Sequence, residues 1–232
     1  MRLENGDVLE ADAVILSMGY KPNSQLAKKA GIMVDDSGFI VVDEFVRTPT
    51  PDIIAAGDCA QKRDFITRRR VPTMLASTAC AEARIAGMNL FNIHVVKTFS
   101  GTIAIYSTAI GNMGFGTAGI TEARAKQEGI ATLTGIFESI DRHPGNLPGT
   151  HKQMVKLTTA KYSGVIIGGG VIGGESAGEL TNVIGLAIEN RMTVNSLLAS
   201  QISTHPCLTA SPAAYPLIKA AEIIAEKMRK PC

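Results

Sequence analysis

The dipeptide Gly57-Asp58 is the clearest candidate for chemistry in this sequence. It follows the small and branched run Ile53-Ile54-Ala55-Ala56, which is typical of a buried strand. A glycine at a strand end lets a ligand approach the backbone, and an aspartate there can accept hydrogen bonds from sugar or polyol hydroxyls. Such a dipeptide more often forms a simple turn that caps the next segment. The ligand-binding interpretation therefore depends on the neighbouring segments.

Two other segments could complete a ligand site around Gly57-Asp58. The apolar run Ala13–Ser17 leads to Gly19, which predicts a second buried strand that ends in a glycine. The Ala-rich stretch from Thr73 to about Asn89 predicts a long helix capped by Thr73. The positive end of its dipole could face an electron-rich ring or carbonyl.

The segment Gly168–Gly173 fits the G-x-G-x-x-G pattern of dinucleotide sites. Such a site also needs an acidic residue at the end of a second strand, about twenty residues on, where Glu189 instead falls at a predicted helix end. We therefore expect a Gly-rich strand packed against a helix. A nucleotide-binding protein that uses this segment stays open, and NAD titration of residues 99–232 would test it.

Cysteine and histidine spacing indicates neither a disulfide framework nor a metal site. The four cysteines include no C-x-x-C pair, and the four histidines lack the i, i+4 spacing of helix-borne ligands. Neither Cys59 nor Cys207 has a second thiol nearby in the sequence, and both are expected to be unreactive. The basic stretch from Lys62 to Arg70 is interrupted by Asp64-Phe65-Ile66, which favours a solvated loop.

Composition describes a globular chain and excludes several classes of partner. The 232 residues are 45% hydrophobic and 19% charged, with a net charge of +2, so neither disorder nor attraction to nucleic acid or a membrane is expected. Aromatic residues are only 5%, with no Trp, which disfavours base stacking. No apolar stretch reaches the ~20 residues of a membrane span, and the N-terminus resembles no leader, so a cytoplasmic location is expected.

The pattern of elements changes near residues 96–101. Before that point, buried runs alternate with short helices; after it, a series of strands predicts an antiparallel sheet, followed by helices. Thr121 and Thr193 are expected to cap helices, and Ala160–Gly164 to form a hairpin turn. The predicted strands span residues 102–108, 111–116, 130–137, 153–158 and 165–169.

Two groups of motifs carry a resemblance to a known family. Residues 12–23 and 48–60 resemble the second flavin-binding segment of the pyridine nucleotide-disulfide oxidoreductases, nearest to the NADH oxidase and coenzyme A disulfide reductase group. In the second half, Met154-Val-Lys-Leu, Gly168-Gly-Gly, Gly178-Glu-Leu and His205-Pro206 follow the order of that family's dimerisation domain. The resemblance covers nearly the whole chain.

The resemblance implies a fold and an assembly. The fold class is α+β, a remnant of a flavin-binding α/β domain followed by a dimerisation domain of antiparallel sheet and helices. Residues 1–97 would hold the end of the NAD(P)H domain and the second FAD-binding segment, and residues 98–232 the dimerisation domain. The chain would form a homodimer through that second domain, with no nucleic acid or membrane partner.

The resemblance also implies FAD as the bound cofactor and NAD(P)H as the electron donor of the parent enzyme. Asp58 would bind the ribityl chain or pyrophosphate end of FAD, and the start of the following helix would lie near the isoalloxazine. The implied cofactor-binding residues are Gly19, Gly57, Asp58, Pro72, Thr73 and Ala76.

His205 is the one candidate for a catalytic residue. Some family members carry a His-Pro that reaches the partner's active site, with a glutamate after it to orient the imidazole. Here the segment His205-Pro206-Cys207-Leu208-Thr209 is followed by Ala210 and Ser211, and the glutamate is missing. His205 is therefore a positional or substrate-contact residue, or a structural turn histidine.

The function implied is that of a C-terminal fragment of a flavin-dependent oxidoreductase. The parent would pass electrons from NAD(P)H through FAD to a disulfide, polysulfide or oxygen. The chain holds no dinucleotide-binding βαβ unit and no redox-active Cys of the family pattern, so by itself we expect it to be inactive and to bind FAD poorly. The alternative is a non-enzymatic dimeric interaction module derived from the same family, and exposed Val and Ile on the first half would favour the fragment.

Overall fold

The computed structural model of the protein describes residues 1–92 and 98–229, which contain six α-helices and seven strands. The helices are α1 (Gln25–Lys29), α2 (Ala76–Met88), α3 (Glu122–Gln127), α4 (Ala177–Glu189), α5 (Val194–Leu198) and α6 (Pro216–Arg229). The strands are β1 (Lys62–Arg63), β2 (Arg70–Val71), β3 (Ile105–Ile110), β4 (Met113–Gly119), β5 (Thr132–Ile140), β6 (Lys152–Ala160) and β7 (Ile166–Gly173).

The second half is built on a five-stranded sheet in the order β3-β4-β7-β6-β5. Every neighbouring pair in it is antiparallel, which confirms the predicted sheet. The hairpin between β6 and β7 forms where it was expected, with the Gly164 N–H donating to the Ala160 carbonyl. The mixed helix and antiparallel sheet agree with the predicted fold class.

Helices α4 and α6 cover one face of this sheet, and glycines on the strands let them approach closely. A Cβ on Gly169 would lie 3.1 Å from Ile184 of α4, and one on Gly135 would lie 2.9 Å from Ile224 of α6. The main hydrophobic core fills this layer. Its fully buried side chains include Val155, Leu157, Ile166, Ile184, Ile188 and Ile224.

The opposite face of the sheet is not packed against α4 or α6, and α3 reaches one edge of it, where Glu122 pairs with Lys156. Across β3 and β4, Tyr106 pairs with Thr117. Phe115 of β4 pairs with Ile172 of β7, and Ile172 pairs in turn with Met154 of β6. A shallow groove of about 540 Å³ runs along these side chains. We call this surface, defined by Tyr106, Phe115, Met154, Lys156 and Ile172, the open face.

Two threonine caps fix the helices at the rim of the sheet. The Thr121 hydroxyl accepts a hydrogen bond from the Arg124 N–H at 3.2 Å, and the Thr193 hydroxyl accepts one from the Ser196 N–H at 3.1 Å. Each satisfies a backbone donor that the first turn of a helix leaves free. Both predicted caps are confirmed.

The first half has little regular structure and a small core of its own. Buried Ala27, Ile40, Ala55 and Ala60 form that core, and β1 pairs with β2. Asn5-Gly6 forms a turn, with Gly6 at φ +91° between the bridged residues Arg2 and Val8. Helix α1 contributes the buried Ala27 to the small core.

The strands predicted at residues 13–17 and 52–58 do not form. Residues 13–20 are exposed over their whole length, with Ile15 at 92% and Met18 at 86%, and Ile54 makes only an isolated bridge to Arg47. A strand needs a partner to satisfy its backbone groups, and no other described segment pairs with residues 13–17. The apolar pattern was correct, but the predicted burial of this segment was wrong.

The helix predicted from Thr73 begins later than expected. Its first residue is Ala76, and the cap position is occupied by Leu75 in an extended conformation, without a side-chain hydrogen bond. Thr73 lies outside the helix and is not its cap. The first backbone donors of α2 therefore have no side-chain cap.

Candidate functional site

The Gly57-Asp58 turn has the backbone conformation that its sequence favours. Gly57 lies at φ +81°, a conformation that side-chain-bearing residues rarely adopt, and its carbonyl accepts the Ala60 N–H at 3.0 Å. Asp58 is exposed at the tip of this turn. Among the residues that the structure describes, its carboxylate has no hydrogen-bond or ion-pair partner, so it is free to accept hydrogen bonds from a ligand.

A buried ion pair lies directly beneath the turn. Lys62 and Glu82 approach to 3.4 Å, and their side chains are 0% and 1% exposed. Glu82 Oε2 accepts the Gly57 N–H at 2.8 Å, while Lys62 Nζ donates to the Gly57 carbonyl and to the Ala60 carbonyl, the latter at 3.1 Å. Both backbone polar groups of Gly57 are thus held by charged side chains.

Burial raises the pKa of Glu82, against the opposing effects of the Gly57 N–H and the Lys62 ammonium. The negative charge of Asp58 adds a further, smaller increase. The lysine is the counter-charge that makes an ionised carboxylate tolerable at this depth.

The turn packs against the beginning of α2. A Cβ added to Gly57 would meet the Ala79 Cβ at 3.7 Å, one helical turn after Ala76. The first turns of α2, whose leading N–H groups lack a side-chain cap, therefore lie beside the Gly57 turn. This combination suits a ligand that carries both hydroxyls and an electron-rich or anionic group.

The predicted cofactor residues are brought together only in part. Gly57 and Asp58 form the turn, and Ala76 begins the helix that packs against it, with an exposed side chain. Pro72 and Thr73 lie just before α2, the first exposed and the second half-buried. Gly19, at φ +78°, lies in the exposed segment 13–20, and its place at the site stays a prediction.

The loop around His205 orients the imidazole through a backbone bond, and no carboxylate within residues 1–92 and 98–229 pairs with the ring. His205 Nδ1 accepts the Cys207 N–H at 3.3 Å, so the ring proton of the neutral form belongs on Nε2. The His205 N–H donates to the Thr209 hydroxyl at 3.0 Å, and the Pro206 carbonyl accepts the His143 N–H. The residue is exposed. A substrate-contact role stays a prediction.

Sequence reasoning missed Lys62 and Glu82. Lys62 was expected in a solvated loop and is instead among the most deeply buried side chains, a correction that follows from its ion pair. A signal existed in α2, because Glu82 shares the i, i+4, i+7 positions of Thr78 and Ile85, all three of which are buried. No local signal marked the lysine.

The Gly-rich segment 168–173 lies within β7, which is antiparallel to both of its neighbours. A dinucleotide fold places such glycines in a turn between a parallel strand and a helix. The glycines instead allow close packing, since a Cβ on Gly168 would collide with the Ile120 carbonyl. The structural interpretation of this motif is confirmed.

The described residues show neither a metal-binding cluster nor a membrane-spanning helix. No group of three or more His, Cys, Asp or Glu side chains there has an arrangement that could hold a metal ion. None of the helices in those ranges is long and apolar enough to cross a membrane.

Comparison with known families identifies the class of protein to which this fold belongs. The family model described as pyridine nucleotide-disulphide oxidoreductase matches residues 1–83, and that of the same family's dimerisation domain matches residues 105–214. The chain belongs to the pyridine nucleotide-disulphide oxidoreductase family. Members of this family depend on FAD and NAD(P)H.

Individual relatives share this family and cover most of the chain. An NADH oxidase of Enterococcus faecalis is 32% identical over 85% of the chain and 43% of its own length. An NAD(P)H coenzyme A polysulfide/persulfide reductase of Pyrococcus horikoshii is 31% identical over 72% of the chain and 37% of its own length. The chain spans less than half the length of these relatives.

Solved structures give the same result for the fold. Reduced Bacillus anthracis CoADR-RHD superposes with a TM-score of 0.87 at 28% identity, covering 98% of the chain and 40% of that protein. An NAD-dependent persulfide reductase from A. fulgidus superposes with a TM-score of 0.84 at 30% identity, covering 96% and 40%.

Proposed function

We propose that the chain supplies the second flavin-binding segment and the dimerisation domain of an FAD-dependent NAD(P)H oxidoreductase. The electron acceptor would be a disulfide, a polysulfide or oxygen, the range suggested by relatives named NADH oxidase and polysulfide/persulfide reductase. The division into residues 1–97 and 98–232 is part of this proposal.

One observation carries the proposal: an exposed, unpaired carboxylate on a glycine turn beside an uncapped helix N-terminus. Asp58 can accept hydrogen bonds from the ribityl hydroxyls, while Gly57 leaves no side chain between the backbone and the ligand. The N-terminus of α2, which begins at Ala76 just after Pro72 and Thr73, would supply positive potential to the electron-rich ring of a bound flavin. These residues fit the cofactor of the family.

The bound flavin would supply the two-electron chemistry between NAD(P)H and the acceptor. The chain's own contribution is binding and electrostatics. The backbone N–H groups at the start of α2 would stabilise negative charge that develops on the flavin ring. The helix already holds these donors in place before the reaction, so no reorganisation is needed. The exposed His205 imidazole, whose Nδ1 accepts the Cys207 N–H, would contact a substrate or a second protomer through Nε2.

The open face supports the homodimer. Tyr106, Phe115 and Ile172 form apolar rows across three strands, and Tyr106 is 48% exposed. A sheet face of this kind on a domain that matches a dimerisation model is suited to pack against a second copy.

The 232 residues by themselves should be inactive and should bind FAD weakly. Their pyrophosphate-binding and thiol functions would come from further sequence of the protein. The largely exposed apolar side chains of Ile15, Leu16 and Met18 support this view, because side chains of this type are normally buried against neighbouring strands.

The second candidate is a non-enzymatic dimeric interaction module, which would keep the open face and need no flavin. The exposed segment 13–20 favours the oxidoreductase, because a stand-alone module would carry polar residues there.

The coding region immediately upstream of Met1 is the first test. An in-frame Gly-rich βαβ unit supports the oxidoreductase, and a stop codon or unrelated sequence supports the interaction module.

The second test is FAD binding by the protein expressed with that region. The D58A variant should bind FAD about tenfold more weakly, while D36N, at another exposed aspartate, should bind it normally. Unchanged FAD affinity in D58A contradicts the proposal.

A further inference from the structure

The ion pair of Lys62 and Glu82 is costly where it lies. Both side chains are almost completely buried, and removing two charges from water costs several kcal/mol per ion before their attraction offsets it. Apolar side chains of similar volume often give equal or greater stability at such positions. Stability alone therefore does not account for this pair.

The contacts of the pair converge on one residue. Glu82 accepts the Gly57 N–H at 2.8 Å, and Lys62 donates to the Gly57 carbonyl. These bonds fix the N–H and the carbonyl of Gly57, the residue with positive φ that immediately precedes Asp58. The carboxylate of Asp58 itself has no partner among residues 1–92 and 98–229, so its position depends on the backbone of this turn.

We propose that Lys62 and Glu82 are positioning residues that fix the Gly57-Asp58 turn and thereby the ligand-accepting carboxylate. They touch no ligand; they act through the peptide groups of Gly57. The link to flavin rests on the proposed function, whereas the fixing of the turn does not.

The variant pair K62M/E82L tests this role. Both charges are removed together, which avoids leaving one of them buried and unpaired, and the side-chain volumes are nearly kept. E82Q is the conservative comparison, since its amide oxygen can still accept the Gly57 N–H. K219M/E222L, which removes a partly exposed ion pair of α6, is the matched control.

Amide hydrogen exchange at Gly57 is the deciding measurement. In K62M/E82L the Gly57 amide should exchange about tenfold faster than in wild type, because the loss of one charge-assisted hydrogen bond frees it. Core amides such as Val155 and Ile166 should be unaffected, E82Q should stay within about threefold at Gly57, and the control should match wild type. Unchanged Gly57 exchange in K62M/E82L overturns the proposal, as does an equal acceleration at the core amides.

FAD titration, followed by quenching of flavin fluorescence, separates this proposal from the proposed function. In the protein expressed with its upstream region, K62M/E82L should weaken FAD binding about tenfold when Asp58 is present and less than about threefold in a D58N background. Equal effects in both backgrounds overturn positioning through Asp58. If wild type binds no FAD while the exchange results hold, the flavin function fails and the fixing of the turn stands.

Discussion

Gly116 of β4 and Thr181 of α4 lie so close that a Cβ added to the glycine would come within 2.9 Å of the threonine Cβ and would overlap its hydroxyl oxygen. The threonine cannot turn away freely, because its hydroxyl donates to the Ala177 carbonyl at 2.7 Å within the helix. Sheet and helix therefore meet here through the glycine backbone.

This relationship predicts that G116A destabilises the fold by about 2 kcal/mol, the typical cost of overpacking a filled core. The matched control is G178A in α4, where an added Cβ meets nothing within 4 Å and the backbone is helical. G178A should change stability by less than about 1 kcal/mol, or increase it, because alanine is the better helix former. Denaturant titration measures both, and equal effects would contradict the close packing.

The tie between α3 and the sheet should make stability depend on acid pH. Glu122 accepts hydrogen bonds from the Lys156 ammonium of β6 and, at 2.6 Å, from the Thr134 hydroxyl of β5. The hydrogen bond from Lys156, and after it the one from Thr134, lowers the pKa of Glu122 below its ordinary value of 4.5. A lowered pKa in the folded state means that the contribution is present above the unfolded pKa and lost as pH falls through the folded one.

We therefore expect E122Q to be less stable than wild type by about 0.5 kcal/mol at pH 7, a value typical of exposed pairs. The difference should shrink as pH falls below 4.5. Urea titrations from pH 3 to pH 7 measure this, with E10Q as an exposed control. A difference that is the same at every pH would show that Glu122 does not act through its charge.

Local signals predicted the second half of the chain well. The caps at Thr121 and Thr193 bond backbone groups only three residues away, so the sequence around them contains all the information needed. Strands β3 to β7 form close to their predicted ranges, and the pairs β3-β4, β5-β6 and β6-β7 join strands that follow one another along the chain.

Non-local partners explain what sequence reasoning missed in the first half. Residues 13–17 have the pattern of a buried strand, but among the described residues they have no neighbour to pair with. Lys62 looked like a loop residue because its counter-charge lies twenty positions on, in α2. Asp58 was identified as a candidate ligand residue from its local pattern, but the ion pair beneath it was not.

The open face should control the oligomeric state. The protein is expected to have twice the 24.5 kDa chain mass in light scattering. Y106E puts a charge among Phe115 and Ile172 and should shift the protein to the monomer, without loss of the fold because the residue is 48% exposed. Y162E, the same change at a hairpin turn where the side chain is 85% exposed, should remain dimeric. Dimers in both variants would mean that another surface makes the interface.

The exposed apolar segment distinguishes the two candidate functions. Ile15 and Leu16 are 92% and 74% exposed, so the 232-residue chain should bind the apolar dye ANS, and I15D/L16D should lower that fluorescence without loss of stability. In the protein expressed with its upstream coding region, the same substitutions should cost about 3 kcal/mol or more, because buried charges replace packed side chains.

The control for this experiment is L208D, at a leucine of the His205 loop that is 72% exposed. It should be neutral for stability in both lengths of the protein. If I15D/L16D is equally neutral in both lengths, the segment has no neighbour in the longer protein, and the interaction module becomes the better account. A cost confined to the longer protein identifies residues 13–18 as a strand that is completed by upstream sequence.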